Sequence, residues 1–492
     1  MTPGPRRRAL VGLLTVGLIA ACSGGDGEAL SSTVAPVTTQ VPATTQTPAA
    51  STTTLAPVTT AAPTTAAAPT TTVPRTTTTR AEPQLAELVV ESEPGGVAGW
   101  VRADDGWEVA ITTPWTGEVP LGTVEVTLEA EGFAREIRSF ELDQPTHQRV
   151  LMDKPGQLVD TVSTFAVGGA PKQLAFTPDN TEIWVTLLNG DGVEAYDPLT
   201  GELLAAIDLN STGTVEVIFN RAGTLAYVSQ METSSVYEID VASKTVLQHM
   251  PAIGAWTKVM ALSPDERTLY ASNWVDDNIA VFDLDAGEAV RLLNTVNTPR
   301  GLYISPDGAE LWVAGFHRGE IQVIDIESGR GRVIHRSGGS MRHLVGDPER
   351  RVVYASDLFW ANVVAIDMDT HEVTTLATVD ARPNTIDLSP DGSVLYVSSR
   401  GRDHEESYHR PGPDWGSVAV IDTATGQYLD AIVGGNQPTG LDVSPDGSLL
   451  AHSDFLDNRV TVYRLPDHAT YLAGDGGRWE EHFVEIRKPR RG

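Results

Sequence analysis

The chain has 492 residues, with 35 Lys and Arg against 65 Asp and Glu and a formal net charge of −30. That length exceeds one ordinary domain, and the acid excess argues against nucleic acid as a general partner, because phosphate binding needs clustered Lys and Arg. The single cysteine, Cys22, excludes an intrachain disulfide, so stability must come from burial.

Residues 1–21 read as an export signal. Arg6, Arg7 and Arg8 precede an apolar run from Ala9 to Ile19 that is too short to span a bilayer comfortably. The following Leu18-Ile19-Ala20-Ala21-Cys22 resembles the lipobox of bacterial lipoproteins. That resemblance implies cleavage before Cys22, lipidation of its thiol, and an exported protein whose membrane partner is reached through an anchor on the outer face of the cell membrane. Residues 22–83 then form a linker. Between Ser31 and Arg80 stand 20 Thr and 7 Pro, with almost no large apolar side chain. Such a segment cannot bury enough surface to offset its entropy, and is expected to be a disordered stalk. Stretched as polyproline II it reaches about 150 Å, at roughly 3.1 Å per residue.

Residues 84–153 carry alternating β patterns at 87–91, 124–129 and 148–152. Between them fall Ser92-Glu93-Pro94-Gly95-Gly96, Thr113-Pro114, Pro120-Leu121-Gly122 and Glu131-Gly132-Phe133. This order resembles the PEGA domain, a small surface β-sandwich, and implies a spacer or adhesion module. The stretch from Trp100 to Val109 departs from that family's short hairpin.

The strongest signal is a repeat. Turns of the form apolar-Ser/Thr-Pro-Asp place landmarks at Pro178, Pro264, Pro306, Pro390 and Pro445, with degenerate copies at Arg221 and Pro348. The steps are 42 or 43 residues until the last, which is 55. Six residues after the landmarks stand Trp184, Tyr227, Tyr270, Trp312, Tyr354, Tyr396 and Ala451. Nineteen residues after the first five recurring copies stands an Asp (197, 240, 283, 325, 367); in the sixth it is displaced by 13 residues to Asp422. The same 13 residues lengthen the last step, so the sixth repeat carries an insertion. A period of 40–45 with four short strands per unit is the signature of propeller blades. In the fourth unit the strands are expected near 300–305, 310–315, 320–325 and 332–336. The seventh unit holds three, and Thr161 to Val167 is expected to supply its outer strand.

These units resemble the YVTN-type repeat of bacterial and archaeal surface proteins and lactonase-like propellers. The resemblance implies an all-β protein: a seven-bladed β-propeller over 158–468, preceded by the PEGA-like sandwich and the stalk, with a tail at 469–492. The tail reads as partly disordered, or as lending Phe483 to Ile486 as an edge strand.

Loops entering the first strand of each blade, and those joining the second strand to the third, open on one face around the central channel. Six residues before the landmarks stand Lys172, Val215, Lys258, Arg300, Arg342, Asn384 and Thr439; ten after stand Leu188, Met231, Trp274, Phe316, Leu358, Arg400 and Phe455. Lys172, Lys258, Trp274, Arg300, Phe316, Arg342 and Arg400 are therefore the candidate ligand-binding residues of a channel mouth. The same positions also suit solvated loop residues paired to acids, with Asp357 and Asp454 as internal candidates. The insertion from Arg400 to Gly416 carries His404, Glu405, Glu406, His409 and Asp414, residue types that bind metals, but without the spacing of a helical zinc site. A lid over the mouth is the simpler reading; His317 and His343, on successive blades near the same face, are the residues that would join a metal site there. His452 replaces Val or Ala in its column and is expected to be buried and hydrogen-bonded. No catalytic residue or cofactor is assigned. The leading function is a cell-surface module binding an envelope polymer, a protein partner or a small anion. The alternative, implied by the resemblance, is a lactone hydrolase with a channel-bound divalent metal.

Overall fold

A computed structural model describes residues 84–474 and 478–488, so the signal, Cys22 and the stalk lie outside the described residues. The chain divides into two compact units meeting at residue 153.

In the smaller unit, Leu85–Glu93 pairs antiparallel with Trp115–Pro120 and parallel with Thr146–Leu151. A second sheet orders Glu108–Thr112, Ala98–Ala103, Gly122–Glu129 and Glu136–Leu142. Alternate residues of both sheets, among them Leu88, Val90, Val101, Val126 and Leu128, share one core. The Trp100 to Val109 region is itself a hairpin, with Val101 opposite Val109.

The larger unit is a seven-bladed propeller. Blades one to six are consecutive four-stranded antiparallel sheets that begin at Pro171, Thr214, Thr257, Pro299, Met341 and Pro383. In blade four the strands are Pro299–Ile304, Glu310–Gly315, Glu320–Asp325 and Gly331–Arg336. Blade seven takes Pro438–Val443, Leu449–Asp454 and Arg459–Arg464 from the chain's end and Asp160–Ala166 from its start. That last strand pairs antiparallel with Arg459–Arg464, as the repeat arithmetic requires.

The repeat residues each have a structural task. Ser305 Oγ donates to Asp307 Oδ1 (2.6 Å) and accepts the Glu310 N–H (2.9 Å), closing the turn between the first two strands. Thr177, Ser263, Ser389 and Ser444 donate to their own Asp in the same way. The later Asp column closes the turn before the outer strand: Asp325 Oδ1 accepts the Ser328 N–H at 2.7 Å, and Asp197, Asp240, Asp283, Asp367 and Asp422 do likewise. These acids build turns. Trp184, Tyr270, Trp312 and Tyr354 are buried between neighbouring blades.

The innermost strands adjoin one another around a closed ring. Side chains stitch the blades at this radius. Asp387 accepts the Val443 N–H (2.9 Å), and Asp442 accepts the Phe176 N–H (2.8 Å), carrying the stitch from blade six through seven to one.

In the C-terminal segment a helix replaces the edge strand expected at Phe483 to Ile486. Helix α1 (His468–Ala473) is capped by Asp467, whose side chain accepts the Thr470 N–H at 2.7 Å. Helix α2 (Arg478–Glu485) packs on the blade-six outer strand Tyr428–Val433, with His482 fully buried.

Candidate functional site

Every innermost strand breaks its ladder at its start. In blade three Thr257 faces Asn273 and the next pair is Met260 with Ala271; in blade four Pro299 faces Gly315 and then Leu302 faces Val313; in blade five Met341 faces Asp357 and then Leu344 faces Ala355. Lys258, Arg300 and Arg342 lie inside these bulges, and Lys172 lies in the corresponding irregularity of blade one. A bulge takes a residue out of the regular alternation and re-aims its side chain. A hydroxyl on the second strand caps the gap: Ser272, Ser356 and Ser398 accept the N–H groups of Val259 (3.0 Å), His343 (3.2 Å) and Thr385 (3.1 Å).

The two loop sets expected on one face are hydrogen-bonded to each other. The N–H groups of Trp274, Phe316, Arg400 and Phe455 donate to the carbonyls of Trp256, Thr298, Arg382 and Gln437. Those four acceptor residues all have positive φ, between 50° and 64°. A non-glycine residue in that region is held there by its surroundings, and such residues concentrate at functional sites.

The cations meet aromatic faces. Arg300 lies 4.0 Å from the centre of Trp274 and 5.2 Å from that of Phe316; Lys258 Nζ lies 4.4 Å from Trp274 and 5.4 Å from Trp256; Lys172 Nζ lies 4.7 Å from Phe455. Trp274 and Phe316 are themselves 5.2 Å apart. Further round the ring, Arg342 Nε donates to Asn384 Oδ1 of the next blade, and Asn384 Nδ2 donates to the Thr439 carbonyl of blade seven at 2.9 Å. Lys172, Lys258, Arg300, Arg342 and Arg400 are all buried, which corrects the alternative of solvated loop residues. Burial holds the Arg400 guanidinium below its usual pKa, with Asp403 and Tyr408 opposing the shift and Arg300 and Arg382 adding to it.

Residues 168–338 and 335–474 match the family described as "Lactonase, 7-bladed beta-propeller". The chain belongs to this lactonase-propeller family. It is 33% identical over 361 residues to antigen Lp49 of Leptospira interrogans, covering 69% of this chain and 77% of that protein. It is 22% identical over 346 residues to the 6-phosphogluconolactonase of Erwinia tasmaniensis, covering 63% of this chain and 98% of that enzyme. Among solved structures, hydrazine synthase of Kuenenia stuttgartiensis shares the fold, with a TM-score of 0.53, 22% identity, and coverage of 60% of this chain and 96% of the other.

On this lactonase propeller the expected internal carboxylates serve other partners. Asp357 accepts from Ser337 Oγ and from the N–H groups of Ser340 (2.9 Å), Phe359 (3.1 Å) and Trp360 (3.2 Å), organising its own loops. Asp454 binds Arg459 at 2.7 Å and stands 3.3 Å from His452. His452 is buried and stacked on Tyr463 (centroids 5.6 Å apart).

The donor set does not fit the divalent metal that the lactonase-like resemblance implied. The bulge positions supply ammonium and guanidinium groups, which repel a cation. His343 is fully buried and its Nδ1 accepts the Ile386 N–H at 2.9 Å; burial pushes its pKa down to about 3. In the insertion, Asp414 binds Arg402 (2.5 Å), Glu406 binds Arg410, and His404 Nδ1 accepts the Glu406 N–H (3.1 Å). Among the described residues no group of three or more His, Cys, Asp or Glu is placed to hold a metal ion. His317 instead lines an open cleft of about 290 Å³ with Trp274, Asp277, Asn297 and Thr298.

Sequence reasoning missed Trp256, Tyr408 and Gln437. Gln437 bridges Arg400 and the insertion: its Oε1 accepts from Arg400 Nη2, and its Nε2 donates to the Tyr408 carbonyl at 2.6 Å. Trp256 and Gln437 share a register eight residues before their landmarks, which the repeat alignment could have shown. Tyr408 sits in the insertion, where no repeat partner exists for comparison.

Proposed function

We propose that the propeller is a binding module for an anionic ligand, which enters the channel mouth lined by Lys172, Lys258, Arg300, Arg342 and Arg400. The observation carrying this reading is the placement of Lys258, Arg300 and Arg342, all buried, in the bulges of three successive inner strands, with Lys258 and Arg300 sharing the face of Trp274. Aromatic faces offset part of the cost of burying a cation but leave its charge in place. Acids on the outer blades are screened beyond about 8 Å at physiological salt, so the field at the mouth is set by these five cations together with the buried inner-strand acids Glu216 and Asp387. A carboxylate or phosphate entering the ring gains bidentate guanidinium bonds that water cannot match. The lipobox and stalk of the sequence reading would present this module outside the cell, with the small sandwich as a PEGA-like spacer; no helix of the described residues is long and apolar enough to cross a membrane.

A second reading, hydrolysis of a phosphorylated sugar lactone, draws on the family and on the relative named 6-phosphogluconolactonase. Both readings place an anion in the ring. Calorimetric titration of the soluble head with 6-phosphogluconate and with oligomeric anions, at two salt concentrations, tests the shared part. Turnover of 6-phosphogluconolactone above the buffer rate separates an enzyme from a binding module. Absence of binding by every anion, at low salt, would sink both.

A further inference from the structure

The blade-six insertion and the C-terminal segment read as separate features in the sequence, but they fold as one device. The inner half of the insertion lies over the mouth. Tyr408 covers Arg400 at 5.4 Å, its carbonyl is held by Gln437, and the His409 ring stands 6.2 Å from Phe455, the ring that faces Lys172. Asp403 pairs with Arg382 at 3.1 Å, fixing the near end to the loop that enters blade six.

The outer half is bound to the tail. The Trp415 N–H donates to the Ile486 carbonyl (2.7 Å), Asp414 and Arg487 form an antiparallel bridge, and the Lys488 N–H donates to the Pro413 carbonyl (3.2 Å). Lys488 Nζ donates to the Gly412 carbonyl (2.9 Å) and to Asn436 Oδ1, and lies 4.4 Å from the centre of Trp415. The tail is anchored in turn. Buried His482 Nε2 meets Asp380 Oδ2 at 2.5 Å, and Ser417 Oγ, at the far end of the insertion, donates to the same oxygen at 2.5 Å. Asp380 and Arg382 belong to one loop, so both ends of the insertion and the tail converge on the entrance to blade six.

We infer that the insertion is a lid over the blade-six and blade-seven sector of the mouth, and that the C-terminal segment is its latch. Backbone pairing along 412–416 gives the lid one seated position, while its tip at His409 and Arg410 is exposed. Opening costs the latch contacts and those of Tyr408 and Gln437, but leaves the blade ladders intact. Ligand exchange at Arg400 and Lys172 would then be limited by the latch and not by the ring, a consequence that rests on the anion-binding reading above.

The experiment uses the whole soluble head, a chain ending at Gly474, and the milder Lys488→Ala, which keeps α2. Amide exchange over 401–416 and tryptic cleavage after Arg402 report the lid itself. Both should rise about tenfold or more in the truncated chain and by less in Lys488→Ala, with the propeller's melting transition retained. Stopped-flow binding of 6-phosphogluconate reports exchange. Association and dissociation should both accelerate, by about fivefold or more, with Kd little changed. Unchanged protection of 401–416 in both variants overturns the latch. Lost protection with unchanged exchange rates overturns the lid. If no anion binds any of the three proteins, the binding reading fails and the gating role falls with it, while the protection data still decide the latch.

Discussion

Arg300 and Trp274 come from adjacent blades, and the Arg300 guanidinium stacks 4.0 Å above the Trp274 ring, whose neighbour Lys258 also contacts it at 4.4 Å. One indole therefore supports two buried cations. Trp274→Ala should lower stability by about 1–3 kcal/mol, as lost packing adds to two lost cation–π contacts. Trp274→Phe should recover most of it. Equilibrium urea unfolding of the three proteins checks this; equal stability of the Ala variant would mean the cations are held by other groups.

The ring makes an electrostatic prediction about its ligand. Arg300→Ala combined with Arg342→Ala should weaken anion binding by about a hundredfold, since each charge-assisted hydrogen bond is worth roughly 1.5–3 kcal/mol. The slope of log affinity against log salt should flatten, because fewer charges face the ligand. Titration at several salt concentrations measures both, and a parallel shift with unchanged slope would place the anion elsewhere.

Ring closure depends on the strand Asp160–Ala166, which supplies Phe165 to a core shared by blades seven and one. Deleting 160–166 exposes the Arg459–Arg464 edge and unpacks that core, so the whole propeller should lose stability. Calorimetry should show a lower and broader transition. A cooperative transition at the parent temperature would mean that closure resides in the inner strands alone.

The fold was legible because propeller blades repeat. Pro-Asp turns, the Trp/Tyr column and the Asp column recur at fixed offsets, and each performs the same local task in the blades that carry it. The site was half legible. The register of Lys258, Arg300 and Arg342 was visible, but their burial follows from bulges, and a bulge shows in a ladder, not in spacing. Asp357 and Asp454 misled because a carboxylate's partner depends on which loop it closes. The helical tail was hidden because its decisive residue, His482, is polar in sequence and buried only through Asp380, 102 positions away.

Cys22 lies outside the described residues, and its lipidation is a proposal. Cys22→Ala should leave the precursor uncleaved or release the protein from the membrane, since the thiol is the acylation point. Labelling of cells with radioactive palmitate, read with the size of the product, checks it. A variant that is still palmitate-labelled and still processed to the mature size would remove the lipobox from the reading.

Asp442 makes stability fall as pH rises. Burial, and then the charge of neighbouring Asp387, hold its carboxyl well above the usual carboxylate range, while the Phe176 N–H only partly offsets them. In the unfolded chain the group ionises near about 3.9. Between that value and the raised folded value, the fold binds more protons than the unfolded chain. Its contribution is therefore complete below about 4 and is lost as pH climbs through the folded pKa, with a slope of at most about 1.4 kcal/mol per pH unit. His343 acts in the opposite direction. Its folded pKa is depressed to about 3, so its contribution is present above the unfolded value of about 6.5 and is lost as pH falls. The two must be separated by a difference measurement. Asp442→Asn cannot ionise, yet its amide can still accept from Phe176 and donate to Asp387. The variant should match the parent near pH 4 and exceed it increasingly toward pH 8, while His343 cancels in the subtraction. Urea unfolding of both proteins across that range measures the difference, and a difference that does not change with pH would show that Asp442 is ionised in the fold.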